Sequence, residues 1–453
     1  MSGAAASPLR DARGHIVTGA NSAALDHLER ATWRLVSFYG NPFDELGAAA
    51  AESPGCVMAH VALANLCLTT SERQFVAQAQ SALGAAREHL GAATARERMH
   101  VEASTLAAQG RWDDAGAAWD RLLREYPLDL FALQAAHLFD FYRGDAAQLR
   151  ARVARVLPQW SEQVPLYSYV LGMYAFGAEE CNRYAQAEEA GRRALDIDAR
   201  DPWAVHAVAH VMEMNGRVED GIEWLRARSE VWSPDNGFAF HNWWHLALFH
   251  LERGEVDAVL MLYDERIGSG ELVLQWLDAT SLLWRLRLLG HDVGARWQPL
   301  AQRWREALER EAGHYAFNDW HAALALHAVG DRDGLAVLRA AMQRTAEAGA
   351  ATLRMMADEV GLPLLAALDD FESGRYRKAA EAFTGLRRVA MRCGGSHAQR
   401  DLIDQTALVA ALRAGDAALA RVLANERTLA KPHSSLARRY AEQARSLLPP
   451  AVH

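Results

Sequence analysis

The sequence predicts an all-α protein made of stacked pairs of antiparallel helices. Three observations support this fold class. Alanine, leucine and arginine dominate the composition, and only 13 of 453 residues are proline, which favours helix. A short turn phrase recurs between amphipathic runs along most of the chain. Apolar and polar residues do not alternate with a period of two in any convincing run, so we expect strands to be rare or absent.

The turn phrase is a glycine, once an asparagine, followed by a polar residue. It recurs at spacings of 34 to 44 residues, at Gly110, Gly144, Asn182, Gly216, Gly254, Gly290, Gly330, Gly374 and Gly415. A period of this size is typical of stacked helix pairs, each too small to bury its own apolar face. Glycine suits the turn between two helices because it adopts left-handed backbone conformations without strain.

Within a unit, large and small residues share one helical stripe. In "GRWDDAGAAWDRLLREYP" (110–127), the stripe contains Trp112, Ala115, Trp119 and Leu122. Small residues let neighbouring helices approach, and large residues fill the space between them. The same pattern returns at 182–198 and 374–386. This is the tetratricopeptide pattern, degenerate in the other units, and it predicts a right-handed α-solenoid.

The chain is expected to form one continuous superhelical domain over 31–450. Residues 1–30 are predicted to be a loose lead-in with a first helix starting near Ala24, and "LARRYAEQARSLL" (436–448) is predicted to cap the array. No proline- or serine-rich linker divides the chain.

Bulk properties favour a cytoplasmic protein. The net charge of −9 argues against nucleic-acid or membrane partners, which are bound by basic surfaces. The four cysteines form no C-x-x-C pair and indicate reduced, mostly packed thiols. They are Cys56, Cys67, Cys181 and Cys393. We expect no signal peptide and no membrane span, since no apolar run approaches 18 residues. The oligomeric state is left open.

Several phrases resemble the tetratricopeptide repeat protein 38 family over residues 30–430. They are "LGMYAFGAEE" (171–180), "WAVHAVAHVMEMNGR" (203–217), "HNWWHLALFHLE" (241–252), "DATSLLWRLRLLG" (278–290) and "GGSHAQRD" (394–401). The resemblance implies an all-helical repeat fold and no settled activity.

One helix face combines two histidines and a carboxylate. His206, His210 and Glu213 project together at 3.6 residues per turn. Their offsets before Gly216 place them on the concave wall of the repeat array. The same offset in the preceding unit selects Glu179, so we expect Glu179 and Glu213 on adjacent helices, roughly 9–10 Å apart.

The next unit adds His241 and His245, again four residues apart on one face. We expect these two to converge with His206 and His210. The pair Trp244–His245 matches Trp320–His321 two units later, because both histidines lie nine residues before the turn glycine. Each of these histidines is also compatible with core packing against a backbone carbonyl or carboxylate.

The five residues of the two inner helices are the candidate catalytic groups: His206, His210, Glu213, His241 and His245. We interpret the pocket they line, together with Trp244, as a binding site for a small molecule or short peptide. The alternative is an enzyme that uses the pocket for acid/base or metal-assisted chemistry on a small substrate, including an anionic one. A protein-interaction scaffold is the third interpretation. No cofactor is predicted, although the four histidines are candidate ligands for a divalent metal.

Other candidate ligand-binding groups lie outside the two inner helices. Asp278 and Arg285 are expected to face the lumen, or to form an ion pair between units. In "GGSHAQRDLIDQT" (394–406) Ser396 is expected to cap a helix starting at His397 or Ala398. That start would place His397, Arg400 and Asp401 near the free backbone N–H groups of the first helical turn. These residues would then form either an anion-binding site or structural ion pairs.

Two further residues leave alternatives open. Gly172 occupies the position of His206 in the preceding unit, where a glycine gives either room for a ligand or close helix packing. Cys393 precedes His397, but packing is the preferred interpretation of this thiol. No nucleophile elbow, phosphate-binding loop or dinucleotide fingerprint is present in the sequence.

Overall fold

The computed structural model describes residues 8–447 and confirms the all-α fold. Helices follow one another along the described chain, and neighbours in sequence pack as pairs, such as α5 with α6 and α9 with α10, whose bounds are given below. The described residues contain no strand and only two isolated β-bridges, Arg10–Ile16 and Tyr39–Asn236.

The chain divides into two compact units. The first comprises residues 8–141, 146–204 and 234–237. Its helices are α1 Ser22–Ser37, α2 Pro42–Glu52, α3 Val57–Leu68, α4 Val76–Glu88, α5 Ala95–Ala108, α6 Trp112–Glu125, α7 Leu130–Tyr142, α8 Ala146–Val156, α9 Tyr167–Glu180 and α10 Tyr184–Ile197.

The second unit comprises residues 142–145, 205–233 and 238–447. Its helices are α11 Pro202–Met214, α12 Val218–Ala227, α13 Ser229–Trp232, α14 Ala239–Arg253, α15 Val256–Leu262, α16 Val273–Leu288, α17 Trp297–Glu311, α18 Ala316–Val329, α19 Arg332–Ala348, α20 Ala351–Met356, α21 Leu362–Glu372, α22 Tyr376–Leu386, α23 His397–Arg413, α24 Ala417–Ala430 and α25 Ser435–Ser446. The helices α15 and α20 each continue into one π-helical turn, Tyr263–Ile267 and Ala357–Gly361.

The turns confirm the repeat register read from the sequence. All nine recurring turn residues have a positive φ, between 58° and 84°. Asn182, which replaces glycine once, has the lowest value and separates α9 from α10. A left-handed residue at this place ends one helix and reverses the chain into the next, which explains why glycine recurs there.

The helical stripes are buried as predicted. Trp112, Ala115, Trp119 and Leu122 are all buried in the first unit, and the Trp119 ring lies 5.3 Å from that of Phe139 on α7. In the other two clear units the small stripe residues are buried, while Tyr184 and Tyr376 at the helix starts are half-buried. Alternating sizes therefore fill the space between neighbouring helices.

Both predicted terminal helices are present. The first helix starts at Ser22 rather than near Ala24, with Asn21 as its N-cap. The last begins at Ser435 and ends at Ser446. Residues 1–7 of the lead-in and 448–450 lie outside the described residues. A single domain over 31–450 stays a prediction. Over residues 8–447, no helix has the length and apolar character needed to cross a membrane.

Candidate metal centre

Four histidines of the second unit converge on one point. α11 contributes His206 and His210, and α14 contributes His241 and His245. The ring centroids of His210 and His245 are 4.4 Å apart, and those of His206 and His241 are 4.8 Å apart. The two rows therefore meet, as their helical spacing predicted.

The four ring nitrogens are close enough together to hold one metal ion. One ring nitrogen from each histidine lies within 4.8 Å of those of the other three. All four side chains are buried, and His241, at 7% exposure, is the most accessible. Imidazole nitrogen is a good ligand for zinc, copper, iron and nickel.

Carboxylates orient two of the imidazoles. The Nδ1–H of His241 donates to Asp278 Oδ2 at 2.7 Å, and the Nδ1–H of His245 donates to Glu213 Oε2 at 3.2 Å. An imidazole that donates through Nδ1 keeps its lone pair on Nε2. Carboxylates bonded in this way to the outer nitrogen are a regular feature of histidine metal ligands, since they fix the tautomer and the ring orientation.

The second ring nitrogen of His245, Nε2, has no partner among residues 8–447. Its Nε2 is fully buried and makes no hydrogen bond to any part of the chain that the structure describes. A buried polar atom without a partner costs about 1–3 kcal/mol, and such atoms are rare in folded proteins. A bound ion at the centre of the four rings would satisfy it.

Burial favours the neutral ring at two of the four histidines, His206 and His245. Burial, followed by the neighbouring histidines, lowers the pKa of His206 well below its usual value. Burial also lowers the pKa of His245, assisted by the other histidines and the positive charges of Arg285 and Lys431. The neutral ring is the form that ligates a metal, so binding here requires little proton release.

Aromatic rings form the walls around the four histidines. The Trp244 ring stacks on that of His241 at 5.2 Å and 14°, and its Nε1–H donates to Ser281 Oγ at 2.9 Å. The Phe238 ring meets His206 edge-on at 5.1 Å. This confirms that Trp244 lines the cluster.

A largely buried network of charged side chains includes Glu213. Lys431 Nζ is 3.2 Å from Glu213 Oε1 and 4.0 Å from Asp401 Oδ2. Arg427 Nη2 donates to Asp401 Oδ2 at 3.0 Å. Burial lowers the pKa of Lys431, but the charges of Asp401 and Glu213 outweigh this and raise it. Lys431 is therefore a cation at neutral pH.

Sequence reasoning missed Lys431 and Arg427. Both residues follow the repeat pattern's last turn, and Lys431 is 218 residues from Glu213. One signal was present, because Lys431 is one of only two lysines among the 48 Lys and Arg residues of the chain. All other basic residues of the chain except Lys378 are arginines, and Lys431 is the lysine that is buried.

Arg285 lies near the cluster, as predicted. Its guanidinium donates to the carbonyls of Ser281 at 3.1 Å and Ala398 at 2.6 Å, and its Cζ is 5.4 Å from the Trp244 ring centroid. No carboxylate of residues 8–447 lies within 4.0 Å of its nitrogens. Asp278 bonds to His241 instead, so the ion pair considered between Asp278 and Arg285 does not form.

His321 lies outside the four-histidine cluster. It shares a repeat position with His245, but its Nδ1–H donates to the carbonyl of Phe317, four residues earlier on α18, at 2.8 Å. Burial lowers its pKa to about 4. The packing interpretation fits His321, because its polar atom is satisfied within its own helix.

The 394–406 segment is organised by its own contacts. Ser396 and Gln399 form a capping box that starts α23 at His397, as predicted. Arg400 turns back and donates to the carbonyl of Gly395, which favours a structural role over an anion seat. Asp401 pairs with Arg427, so it belongs to the charge network.

The structure also shows the surroundings of three remaining candidates, Cys393, Glu179 and Gly172. Cys393 is buried and donates to the Ala390 carbonyl at 3.1 Å, and burial raises its pKa to about 12, which supports packing. Glu179 is buried on α9 in the first unit, and its expected proximity to Glu213 stays a prediction. A Cβ on Gly172 would lie 2.7 Å from Asp201 Oδ2, so this glycine permits close packing.

Comparison with known proteins gives distant likeness only. No protein-family model matches the sequence. Among solved structures, an IFIT1 monomeric mutant with Gppp-AAAA is 15% identical, covers 95% of this chain and 96% of its own, and has a TM-score of 0.42. The human IFIT1 dimer with m7Gppp-AAAA is 14% identical, with coverages of 93% and 95% and a TM-score of 0.41. At these TM-scores we draw no conclusion about this chain's ligand, and membership of the tetratricopeptide repeat protein 38 family stays a prediction.

Proposed function

We propose that this chain binds a divalent transition-metal ion on His206, His210, His241 and His245, and that its small-molecule ligand binds at this ion. The observation that carries the proposal is the convergence of four buried ring nitrogens within 4.8 Å. Two of these rings are oriented by carboxylates, as metal-bound histidines usually are.

The dimensions of the cluster fit an ion. Two nitrogens bonded to one metal at 2.0–2.1 Å are at most about 4.2 Å apart. Ring nitrogens that already lie within 4.8 Å of one another need only small ring rotations to reach bonding distance. The Nε2 of His245, without a protein partner, would gain a ligand bond.

The donor set narrows the choice of metal. Four imidazoles without a thiolate suit iron, nickel, copper or zinc, and do not suit magnesium or calcium, which prefer oxygen ligands. An ion that accepts five or six ligands keeps one or two positions open. We infer that the small molecule occupies an open position, next to Trp244 and Phe238.

The charges near the centre support a small ligand rather than a nucleic acid. Arg427 and Lys431 are buried and engaged with carboxylates, so neither is presented to a phosphate backbone. The chain as a whole carries a net charge of −9, and nucleic-acid binding relies on accessible positive charge.

An acid/base enzyme without a metal is the second candidate. The pairs Glu213–His245 and Asp278–His241 resemble carboxylate–imidazole dyads, in which the carboxylate supports a general base. The lowered pKa of His245 argues against this role, because a base is most effective when its pKa lies near the working pH.

Metal analysis of tag-free protein tests the proposal. We expect about one equivalent of transition metal after purification or reconstitution, and loss of that metal in the double variant His210→Gln/His245→Gln. His321→Gln is the matched control, since His321 is equally buried but satisfied within its own helix. The proposal is wrong if the metal content is low, or if it is unchanged in the double variant.

A further inference from the structure

The four histidines lie beside a network of charged side chains in the second unit. Three cations and one carboxylate of this network are buried, and two further carboxylates are partly buried. The buried groups are Arg285, Arg427, Lys431 and Asp278, and the partly buried ones are Glu213 and Asp401. Their arrangement decides what net charge the centre has before any ion binds.

Most of these charges are already compensated by one another. Arg427 pairs with Asp401, and Lys431 pairs with Glu213. The two remaining groups are Asp278, which accepts from His241, and Arg285, which donates only to backbone carbonyls. Three positive charges thus offset three negative charges.

One more carboxylate lies near the network. Glu252 accepts hydrogen bonds from Ser434 Oγ and from the Leu436 N–H at the start of α25, and it is only half-buried. Counting it in full, the surroundings carry a single negative charge. A divalent ion would still leave at least one positive charge in excess.

An uncompensated charge in a buried site is costly, because desolvation removes the stabilisation that water provides. We propose that the metal-loaded centre binds a small anion directly, so that the ligand of this protein is a carboxylate-like anion with an apolar body. This rests on the metal centre proposed above, and it adds the chemical class of the ligand.

The side chains next to the histidines suit such a ligand. His241 is the least buried of the four ligands, and its ring lies 5.2 Å from that of Phe238, which is itself partly exposed. An anionic group would reach the ion past His241, while its apolar part would contact Phe238 and Trp244. Arg285, close to the Trp244 ring and without a carboxylate partner, adds positive potential on that side.

Cobalt(II) is the probe for the test, because its visible spectrum reports changes in coordination. We expect Co²⁺-loaded protein to bind acetate and azide with spectral changes, at least tenfold more tightly than the neutral analogue acetamide. The two ligands must also affect each other equally. If Co²⁺ raises the affinity of the protein for the anion by a given factor, a saturating concentration of the anion must raise the affinity for Co²⁺ by the same factor.

The two lysines of the chain give a matched pair of variants. Lys431→Met removes one buried positive charge, so we expect tighter Co²⁺ binding, and weaker acetate binding by roughly tenfold, a typical size for coupling between sites. Lys378→Met is the control, since Lys378 lies on α22 with its side chain 71% exposed, and both affinities should stay unchanged.

The outcomes separate the two proposals. If Co²⁺ does not bind, or binds without the four histidines, both proposals are wrong. If Co²⁺ binds to the histidines but acetate and azide bind no better than acetamide, only the anion proposal is wrong. Equal anion affinity in Lys431→Met and Lys378→Met would also overturn it, because the charge balance would then have no effect.

Discussion

Asp278 Oδ2 accepts a hydrogen bond from His241 Nδ1 at 2.7 Å, and this contact joins α16 to α14. Both side chains are buried. The carboxylate fixes the orientation of the His241 ring, so Asp278 positions a candidate metal ligand without being one itself. The contact makes the orienting carboxylates the most informative positions for mutation.

Asp278→Asn should weaken metal binding while leaving the fold intact. The amide is nearly isosteric and still accepts a hydrogen bond, but it removes the negative charge that makes the imidazole a better donor to the ion. Loss of such a partner typically lowers metal affinity by about 10–100-fold. Competition with a chelator measures the affinity of the variant and of the parent protein.

Asp369→Asn is the control for this prediction. Asp369 also accepts from a histidine, His327 Nε2 at 3.0 Å, but that pair lies outside the four-histidine cluster. Equal metal affinities in the two variants would show that Asp278 has no orienting role.

Metal should stabilise the protein against heat. A ligand that binds only the folded state adds about 2.7 kcal/mol at 100 times its dissociation constant. We therefore expect Tm to rise when Co²⁺ or Zn²⁺ is added to chelator-treated protein, measured by circular dichroism. The double variant His210→Gln/His245→Gln should show no rise, and an equal rise in that variant would place the stabilising ion elsewhere.

Gly172→Ala should destabilise the first unit. The added Cβ would lie 2.7 Å from Asp201 Oδ2, and Asp201 is held because its Oδ1 accepts from the Ala204 N–H at 3.0 Å. Overpacking of this kind costs about 1–3 kcal/mol. Thermal unfolding of the variant measures it.

Gly84→Ala provides the opposite case. Gly84 lies inside α4, and a Cβ there has no other atom within 4 Å. Alanine is preferred over glycine in a helix by up to about 1 kcal/mol, so this variant should be slightly more stable. If both alanine variants shift Tm in the same direction, the contact with Asp201 is not the cause.

Acidification should destabilise the first unit through His137. Burial lowers the pKa of His137 to about 3, whereas an unfolded histidine titrates near 6.5. The unfolded chain therefore binds a proton below pH 6.5 and the folded chain does not, so stability is present above pH 6.5 and is lost toward pH 3. Between pH 7 and pH 5 the loss is about 2 kcal/mol.

His137→Phe removes this titration and keeps an aromatic ring beside Phe176. The free energy of unfolding of the variant, from urea denaturation, should fall less between pH 7 and pH 5 than that of the parent protein. The same fall in both proteins would assign the pH dependence to other groups.

The sequence predicted the parts of the centre that depend on helical period. His206, His210 and Glu213 share a face of α11, and His241 with His245 share a face of α14, because residues four apart lie on one side of a helix. The repeat register then placed the two rows opposite each other. The side-chain hydrogen bonds were not predictable: the sequence suggested an ion pair of Asp278 with Arg285, but Asp278 accepts from His241 instead.

Two features of the site could not be predicted from the repeat pattern of the sequence. His321 has the same local sequence and register as His245, but its ring turns to the Phe317 carbonyl, a rotamer choice that depends on its surroundings. Arg427 lies in the last turns of α24 and Lys431 directly follows that helix, beyond the last recurrence of the repeat phrase. Lys431 contacts Glu213 across 218 residues, a tertiary contact that periodicity does not encode.

The contact between Lys431 and Glu213 has a consequence for biosynthesis. At about 5–20 residues per second, the ribosome needs roughly 10–40 seconds to travel the 218 residues that separate them. His241 and His245 are synthesised within that interval, and Glu213 lacks its ammonium partner until the end of it. If the four histidines bind metal as proposed, the nascent chain presents them beside a carboxylate whose charge is not yet compensated, which favours capture of a cation before synthesis is complete.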